Sequence, residues 1–353
     1  MTSRLARLTR RSLLAAFAGG VALSGLAAAP ALAQGDLTPL RFSLDWRFEG
    51  PSAPFLAALE KGYFEEEGLD VTIDAGAGSV ESINRVASGP YDMAFGDFNS
   101  LIRYRSSPDS EPVKAVMMVY NKPAFAIVGR ASRGITEDLE SLEGKTFGAP
   151  AADAAYAQWP IFKDVNDIDE EAWNMTFENV GFPVREPMLA QGEVDAVFGF
   201  SMSSAINLAA RGVPEDDIVV INFGDYGVEL YGNVIMADPD FLESDPEAVA
   251  GFLRAFLRGL EDTIADPEAG AAYVVQYNDV ARQEVEADRW RMTIENNILT
   301  EETAERGFGD IDPERYEAAL DQIDLTFDFE NRPALEDVFT SEYLPPKEER
   351  MLN

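Results

Sequence analysis

The side chains best suited to chemistry in this sequence lie in loops that directly follow short apolar segments. In an open α/β sheet such loops lie at the carboxyl ends of the strands, where helix N-termini present free N–H groups and ligands bind. Aromatic rings offer stacking faces there, while carboxylates, amides and hydroxyls exchange hydrogen bonds. The first loops supply the candidate ligand contacts Trp46, Phe48, Glu49, Ser79, Asp97 and Asn99.

The later part of the chain repeats this arrangement and adds side chains of the same kinds. These candidates are Tyr120, Asp153, Tyr156, Phe200, Ser201, Tyr226 and Glu229. Apart from Lys122, two residues after Tyr120, Arg47 is the only basic residue in the loops that carry the candidates. The set is therefore aromatic and acidic, which favours a flat ligand with N–H groups or positive charge.

Each candidate also has a purely structural interpretation. Ser79, Asp97 and Asp153 each stand at the start of a predicted helix and would serve as N-caps. Trp46 could be a core aromatic, although it directly follows a strand and stands beside charged residues. Tyr120 could simply shape a connection between domains, and the candidates after residue 224 could be ordinary loop residues.

The absence of two residue types limits the chemistry of this chain. It contains no Cys and no His, which excludes a Ser-His-Asp triad, a thiolate nucleophile and a zinc site of His or Cys ligands. No calcium-loop spacing is present, so we expect neither metal nor cofactor. An enzyme would have to use carboxylate pairs such as Asp45 and Glu49, and neighbouring acids are expected by chance in so acidic a chain.

The overall charge excludes two classes of partner. Lys and Arg number 28 against 63 Asp and Glu, which gives a formal charge of −35. Such a surface repels phosphate backbones and anionic lipid, so binding to nucleic acid or to a membrane surface is not expected. We interpret the acidity as a device for solubility.

The first 33 residues have the pattern of an export signal. Basic residues around Arg10 and Arg11 precede an apolar, Ala-rich run, and small residues around Ala33 offer a cleavage site. The adjacent arginines resemble a twin-arginine signal, although general secretory signals also contain such pairs. We expect a periplasmic protein.

The elements behind the candidate loops follow a βα pattern that occurs twice. In the first half, strands are predicted at residues 40–44, 71–73 and 91–95, with helices over 54–60, from 79 and after 97. In the second half, strands are predicted at residues 146–149, 194–198, 218–221 and 234–236, and the chain is helical from Asp245 onward. This alternation predicts a parallel, doubly wound sheet in each half.

The two halves predict two lobes with two connections, near residues 118–125 and 224–233. The predicted domains are an export signal (1–33), an N-terminal part of lobe 1 (36–120), lobe 2 (121–232), and a return to lobe 1 with the C-terminal helices (233–353). Phe252, Phe256 and Leu260 share one helical stripe, which we interpret as a core face.

One continuous motif resembles a known family. Residues 61–71 read KGYFEEEGLDV, similar to the K-G-Y-F-x-x-x-G-L-D-V pattern in substrate-binding proteins of ABC importers for nitrate, taurine, alkanesulfonates and thiamine-precursor pyrimidines. Asp45-Trp46, residues 142–150 and residues 192–196 match further pieces in the same order. The resemblance extends from residue 38 to about residue 340.

The resemblance implies a fold, a function and partners. The fold would be the two-lobed periplasmic-binding-protein fold of type II, α/β, with a mainly parallel doubly wound sheet in each lobe and two hinge segments. The protein would be a monomer that closes on a small solute and delivers it to a membrane permease and its ATPase. The fungal pyrimidine-synthesising relatives are enzymes that rely on Cys and His, which this chain lacks.

The ligand expected within this family is an aminopyrimidine thiamine precursor, which fits the aromatic and acidic loops. Taurine, an alkanesulfonate or another small anion is the alternative. The pyrimidine-binding branch commonly has Pro-Asn and a His after the Asp-Trp pair, whereas residues 47–51 here read RFEGP.

Overall fold

The computed structural model describes residues 37–352 of the chain. The predicted export signal of residues 1–33 lies outside this range. Within it, no helix has the length and apolar character needed to cross a membrane.

The strands and helices alternate through most of the described chain. The strands are β1 (Thr38–Ser43), β2 (Leu69–Asp74), β3 (Met93–Asp97), β4 (Lys114–Met118), β5 (Phe125–Arg130), β6 (Thr146–Gly148), β7 (Thr176–Glu178), β8 (Ala196–Phe200), β9 (Ile218–Asn222) and β10 (Asn233–Ala237). The helices are α1 (Ala53–Glu60), α2 (Tyr63–Glu66), α3 (Ser79–Ala87), α4 (Phe98–Arg105), α5 (Ala154–Ala157), α6 (Trp159–Val165), α7 (Phe182–Gln191), α8 (Ser201–Ala210), α9 (Pro239–Ser244), α10 (Pro246–Ala265), α11 (Pro267–Tyr277), α12 (Gln283–Thr293), α13 (Glu301–Arg306), α14 (Pro313–Asp324) and α15 (Leu335–Val338). Short 3-10 turns occur between them, and a π-helical turn, Ile294–Ile298, follows α12.

The strands form two separate five-stranded sheets. The first has the order β2-β1-β3-β10-β4, and the second has the order β7-β6-β8-β5-β9. In the first sheet β10 runs antiparallel to both neighbours, and in the second sheet β5 does the same. The other two pairings of each sheet are parallel, so each sheet is mixed, with four strands in one direction and one strand opposed to them. The predicted two-lobed α/β fold is confirmed.

The C-terminal helices complete the core around the first sheet. On α10, Phe252, Phe256 and Leu260 have no exposed surface, which confirms the predicted core stripe. The ring of Phe256 lies 4.5 Å from that of Phe55 on α1, and the ring of Phe252 lies 4.9 Å from that of Phe42 on β1. Burying each such side chain stabilises the fold by about 1.5–3 kcal/mol.

The chain passes between the two sheets in two short stretches. The first lies between the end of β4 at Met118 and the start of β5 at Phe125, and the second lies between Asn222 on β9 and Asn233 on β10. Because both stretches connect the same two sheets, the loops at the facing edges are brought together across one cleft.

Two of the three predicted helix caps are confirmed. The Asp97 carboxylate accepts a hydrogen bond from the Ser100 amide, and the Asp153 carboxylate accepts from the Ala155 and Tyr156 amides. The predicted cap at Ser79 is wrong, because Ser79 is the first helical residue of α3 and Gly78 precedes it as N-cap. Gly78 has a φ of 131°, a conformation open to glycine but costly for other residues.

Candidate functional site

A cavity of about 720 Å³, part of it open to solvent, lies between loops from the two sheets. Sites for small molecules are usually concave, with mostly apolar walls and a few polar groups. Its walls are Leu44, Asp45, Trp46, Arg47, Glu49, Pro51, Ser52, Gly78, Ser79, Phe95, Tyr120, Ala152, Asp153, Ala154, Phe182, Arg185, Phe200, Met202 and Ser203.

Backbone hydrogen bonds fix the loop that begins at Asp45. The Gly78 amide donates to the Asp45 carbonyl oxygen at 2.7 Å, and the Gly76 amide donates to the Trp46 carbonyl oxygen at 2.9 Å. These contacts join the loop after β1 to the loop after β2, so both side chains are held by the edge of the first sheet. Functional side chains on such supported loops need little reordering when a ligand binds.

Asp45 is an ionisable group of the cavity wall that lacks a cationic partner. Its Oδ2 accepts a 2.7 Å hydrogen bond from Asn233 Nδ2, and no Lys or Arg nitrogen of the described residues lies within 4.0 Å of it. Burial raises the pKa of Asp45 to about 7, with smaller contributions from the negative charges of Asp97 and Glu49. At neutral pH the carboxyl group can therefore either accept two hydrogen bonds or donate one and accept one.

Tyr120 presents a second polar group to the cavity. Its side chain is 2% exposed, and within residues 37–352 its hydroxyl makes no hydrogen bond. Burial, together with the nearby Asp45 charge, raises the pKa of Tyr120, so the hydroxyl keeps its proton. A hydroxyl that lines a cavity without a protein partner can exchange a hydrogen bond with a ligand or with water.

Aromatic rings from both lobes meet at Trp46. Its indole ring lies 5.0 Å from the ring of Phe182 on α7 in an edge-to-face arrangement. The guanidinium of Arg47 lies 5.2 Å from the same indole ring. Trp46 follows β1 in the first sheet, whereas α7 leads into β8 of the second, so this aromatic contact joins the two sides of the cleft.

A buried cluster of charges lies on the second-sheet side. The Arg185 guanidinium contacts an Asp153 carboxylate oxygen at 2.7 Å and a Glu186 carboxylate oxygen at 2.6 Å. Burial alone would lower the pKa of Arg185, but the charges of these two carboxylates raise it, so the guanidinium stays charged. Because two carboxylates of the protein already neutralise Arg185, it offers little positive charge to an anionic ligand, and Arg47 is the other cation of the cavity wall.

The predicted contact Glu49 is paired with a residue far along the chain. Its Oε2 lies 3.5 Å from Arg289 Nη1 and accepts a 3.4 Å hydrogen bond from Ser203 Oγ. Burial disfavours the charged form of Arg289, but Glu49 and Glu286 together raise its pKa. Glu49 therefore contributes to the cavity as half of an ion pair.

The structure brings some of the sequence-predicted residues together and places the others elsewhere. Those on the cavity wall are Trp46, Glu49, Ser79, Tyr120, Asp153 and Phe200. Those outside it are Phe48, Asp97, Asn99, Tyr156, Ser201, Tyr226 and Glu229.

Several of the residues outside the cavity have local structural tasks. Asp97 and Asn99 are fully buried, and Asn99 Nδ2 donates to Asp97 Oδ1 at 2.8 Å and to the Tyr231 carbonyl oxygen at 2.7 Å. Burial raises the pKa of Asp97. The ring of Phe48 lies 5.3 Å from the ring of Tyr277 on α11.

The remaining ones belong to the second lobe or to the return connection. The Tyr156 ring packs 5.1 Å from Phe198, and Ser201 is buried at the start of α8. The Tyr226 hydroxyl donates to the Glu137 carbonyl oxygen at 2.6 Å. Glu229 is exposed beside a different groove, which Arg315 also lines.

Some cavity residues were not among the predicted contacts. Asp45 stands in the first candidate loop and was considered only as one of a catalytic carboxylate pair. Phe182 and Arg185 lie on α7, for which no helix was predicted, because FPVREP contains two prolines and no clear apolar period. The sequence offered a signal for Asp45 but none for α7. No group of three or more acidic residues within residues 37–352 could hold a metal ion.

The two sheets, the two connections and the cleft between them define a two-lobed α/β protein with the periplasmic-binding-protein fold. The periplasmic aliphatic sulphonate binding protein of Escherichia coli has this fold, with a TM-score of 0.67, 12% identity, and coverage of 88% of this chain and 94% of that one. At this identity the likeness concerns the fold alone.

The chain belongs to the NMT1/THI5-like family, which matches residues 50–270. The formylaminopyrimidine-binding protein of Halalkalibacterium halodurans is 27% identical over 315 residues, which cover 86% of this chain and 90% of the relative. The 4-amino-5-hydroxymethyl-2-methylpyrimidine phosphate synthase of Aspergillus parasiticus is 26% identical over 238 residues, which cover 65% of this chain and 68% of that enzyme. The relatives of this chain thus include both a binding protein and an enzyme.

Proposed function

We propose that this protein is the solute-binding component of an ABC importer and that it captures an aminopyrimidine of the thiamine-precursor type. The observation that carries the proposal is the Asp45 carboxyl group, which lies on the wall of an aromatic cavity and has no cationic partner in the part of the chain that the structure describes. The formylaminopyrimidine-binding relative, which shares most of its length with this chain, supports the same ligand class.

The chemistry of Asp45 suits the edge of an aminopyrimidine. Such a ring presents an amino N–H donor beside a ring-nitrogen acceptor. A protonated carboxyl group presents an acceptor beside a donor, and an ionised one accepts from the amino group and from a protonated ring nitrogen. Because the pKa of Asp45 is raised to about 7, both forms are accessible near neutral pH.

The apolar walls suit the flat faces of such a ring. Trp46, Phe95 and Phe200 line the cavity, and offset or edge-to-face packing on each aromatic ring contributes about 0.5–1.5 kcal/mol beyond burial. The free hydroxyl of Tyr120 supplies a further hydrogen-bonding group.

An alkanesulfonate or taurine is the alternative, in keeping with the shared fold of the sulphonate-binding protein. A sulfonate is best held by an unpaired Arg or by several free N–H groups. Here Arg185 is already bound to Asp153 and Glu186, so among the described residues Arg47, at an exposed position of the cavity wall beside the Trp46 ring, is the cation that an anion would find. The Asp45 carboxylate would repel the anion, so the aminopyrimidine is favoured.

We propose binding without catalysis. The chain has neither Cys nor His, on which the fungal synthases are expected to rely. The ion pairs of Glu49 and Asp153 further reduce the supply of free acid and base groups in the cavity.

The remaining assignments follow from this function. We propose export through the signal of residues 1–33 and a periplasmic, monomeric protein that delivers its ligand to a permease and its ATPase. Residues 36–120 and 233–353 would form lobe 1, residues 121–232 would form lobe 2, and hinge motion at the two connections would close the cleft.

A thermal-shift and calorimetry screen of the protein tests this proposal. The probes are 4-amino-5-hydroxymethyl-2-methylpyrimidine, a formylaminopyrimidine, taurine and nitrate. A true ligand at about 100 times its Kd stabilises the native state by about 2.7 kcal/mol, which raises the unfolding temperature measurably. Taurine binding without any pyrimidine binding would overturn the ligand class, and conversion of the recovered pyrimidine would overturn the absence of catalysis.

A further inference from the structure

Arg289 on α12 is a buried cation that contacts residues from both sides of the cleft. Its side chain is 2% exposed. On its own side, Nε lies 3.0 Å from Glu286 Oε2, and the same Glu286 oxygen accepts a 2.6 Å hydrogen bond from the Gly50 amide. This side belongs to the first sheet, because α12 packs on α11 and on the turn at residues 50–52, and α11 packs on α1.

The remaining donors of Arg289 reach the second lobe. Nη1 donates to the Met202 carbonyl oxygen at 3.0 Å and to the Ser203 carbonyl oxygen at 3.3 Å, and Nη2 donates to Asn207 Oδ1 at 3.1 Å. All three acceptors lie on α8, which follows β8 and packs on β5 and β9 of the second sheet. One guanidinium thus joins α12 to α8.

The same guanidinium is coupled to the cavity wall. Arg289 Nη1 lies 3.5 Å from Glu49 Oε2, and Glu49, Met202 and Ser203 all line the cavity. Close packing fixes this arrangement, because a Cβ at Gly50 would lie 2.5 Å from the Glu286 carbonyl oxygen. A larger residue at position 50 would push the first loop away from α12.

We propose that Arg289 is a positioning residue for ligand capture: it holds Glu49 against the cavity and ties α12 to α8, so that the closed arrangement of the lobes is favoured. The ligand part of this inference rests on the proposed function, whereas the link between the lobes does not. Hydrogen bonds to a charged donor are about twice as strong as neutral ones, and here three of them exist only while α8 lies against α12.

The three hydrogen bonds from Arg289 to α8 are called the Arg289 bridge below. Opening the cleft would replace them with hydrogen bonds to water. The bridge should therefore act mainly on the lifetime of the closed complex, because a ligand enters the open form before the bridge is made. We expect its loss to raise the dissociation rate constant more than it lowers the association rate constant.

The absence of Cys allows a direct test of lobe closure. Val80 on α3 and Val184 on α7 are 57% and 48% exposed, and each neighbours a cavity residue on its own lobe. Spin labels on a Val80→Cys/Val184→Cys variant report the distance between the lobes by pulsed electron spin resonance. In ligand-free protein, Arg289→Gln should shift the distribution to longer distances.

Arg291→Gln is the matched control, because Arg291 lies on the same helix but pairs with Asp288 and Glu268 on the protein surface. Its distance distribution should equal that of the parent. In stopped-flow binding of 4-amino-5-hydroxymethyl-2-methylpyrimidine, Arg289→Gln should dissociate about tenfold faster with little change in association, and Arg291→Gln should behave as the parent.

Two gentler variants keep the test decisive if Arg289→Gln does not fold. Asn207→Ala removes one acceptor on α8 and should lengthen the distances in the same direction but less. Arg289→Lys should give an intermediate distribution, because an ammonium cannot reach acceptors on both sides at once. Parent-like distances in folded Arg289→Gln, or in both gentler variants, would overturn the bridge. If the bridge variants open but no pyrimidine binds to any protein, the bridge stands and the ligand class fails.

Discussion

Asn233 Nδ2 donates a 2.7 Å hydrogen bond to Asp45 Oδ2, and this bond joins the first residue of β10 to the loop that follows β1. Asn233 is 1% exposed and begins the strand by which the chain returns to the first sheet. The carboxyl group of Asp45 on the cavity wall is therefore positioned by a residue 188 positions further along the chain.

Asp45→Asn should make folding stability less dependent on pH. The folded protein raises the pKa of Asp45 from 3.8 to about 7. The contribution of the Asp45 proton to the free energy of unfolding is therefore complete below about pH 4 and is lost as the pH rises through 7. Relative to the parent, the variant should therefore gain stability with rising pH, by up to about 4 kcal/mol at pH 8. Urea unfolding at pH 4, 6 and 8 measures this difference. Asp70→Asn, which removes one exposed carboxylate of β2, corrects for the change in net charge. A difference that does not vary with pH would contradict the raised pKa.

Asp45→Asn should also weaken binding of an aminopyrimidine. A hydrogen bond to a charged group contributes about 1.5–3 kcal/mol, so the Kd should rise by about 10- to 100-fold. Calorimetry with 4-amino-5-hydroxymethyl-2-methylpyrimidine gives the Kd directly. Asp97→Asn alters a buried carboxyl group outside the cavity and should change the Kd far less, provided that the variant is folded. Equal effects of the two substitutions would remove Asp45 from the site.

Trp46 and Phe182 should be energetically coupled in ligand binding. Their rings lie 5.0 Å apart edge to face on opposite sides of the cleft. In a double-mutant cycle with Trp46→Ala and Phe182→Ala, the coupling in binding free energy should be about 0.5–1.5 kcal/mol. Phe327→Leu, whose ring packs against Phe329, should combine additively with Trp46→Ala. Additivity in both cycles would mean that the contact across the cleft does not help to hold the ligand.

Arg185→Met should be strongly destabilising. Arg185 is 4% exposed and neutralises Asp153 and Glu186, which would remain buried without a cation. Breaking a buried ion pair from one side typically costs about 3–5 kcal/mol. Arg258→Gln breaks an exposed pair with Glu66 and should cost at most about 1 kcal/mol. Urea unfolding of both variants gives the comparison, and similar losses would show that Arg185 is not needed to neutralise the cluster.

Arg315 should control the mobility of both connections between the lobes. Its Nη2 donates to the Asn121 carbonyl oxygen at 2.9 Å and to the Leu230 carbonyl oxygen at 2.9 Å. Arg315→Gln should therefore increase amide hydrogen exchange over residues 119–124 and 224–232 with little change in α10. Arg332→Gln, which removes a surface ion cluster at the far end of α14, is the control. Unchanged exchange in both connections would contradict the role of Arg315.

Local sequence patterns were sufficient to predict those features that depend on a single strand or helix. The alternation of Leu40, Arg41 and Phe42 predicted β1, and the stripe on α10 predicted a core face, because period-2 and period-3.6 burial are properties of a single element. Asp97 and Asp153 were predicted as caps for the same reason. The runs at residues 114–118 and 125–130 were not predicted as strands, since continuous apolar segments buried on both faces carry no period.

The sequence by itself determined the repeated strand-and-helix halves, the loops that follow their strands and the exclusion of thiol and imidazole chemistry. Tertiary structure alone decided which of those loops share a cavity and that Arg289 reaches α8. It also decided that Glu49 and Asp153 each have a cationic partner, whereas Asp45 has none among residues 37–352. The physical reason is the separation along the chain of the residues that interact. Secondary structure depends on neighbours a few residues apart, whereas the pKa of Asp45 and the partners of Arg289 depend on groups brought together from distant parts of the chain.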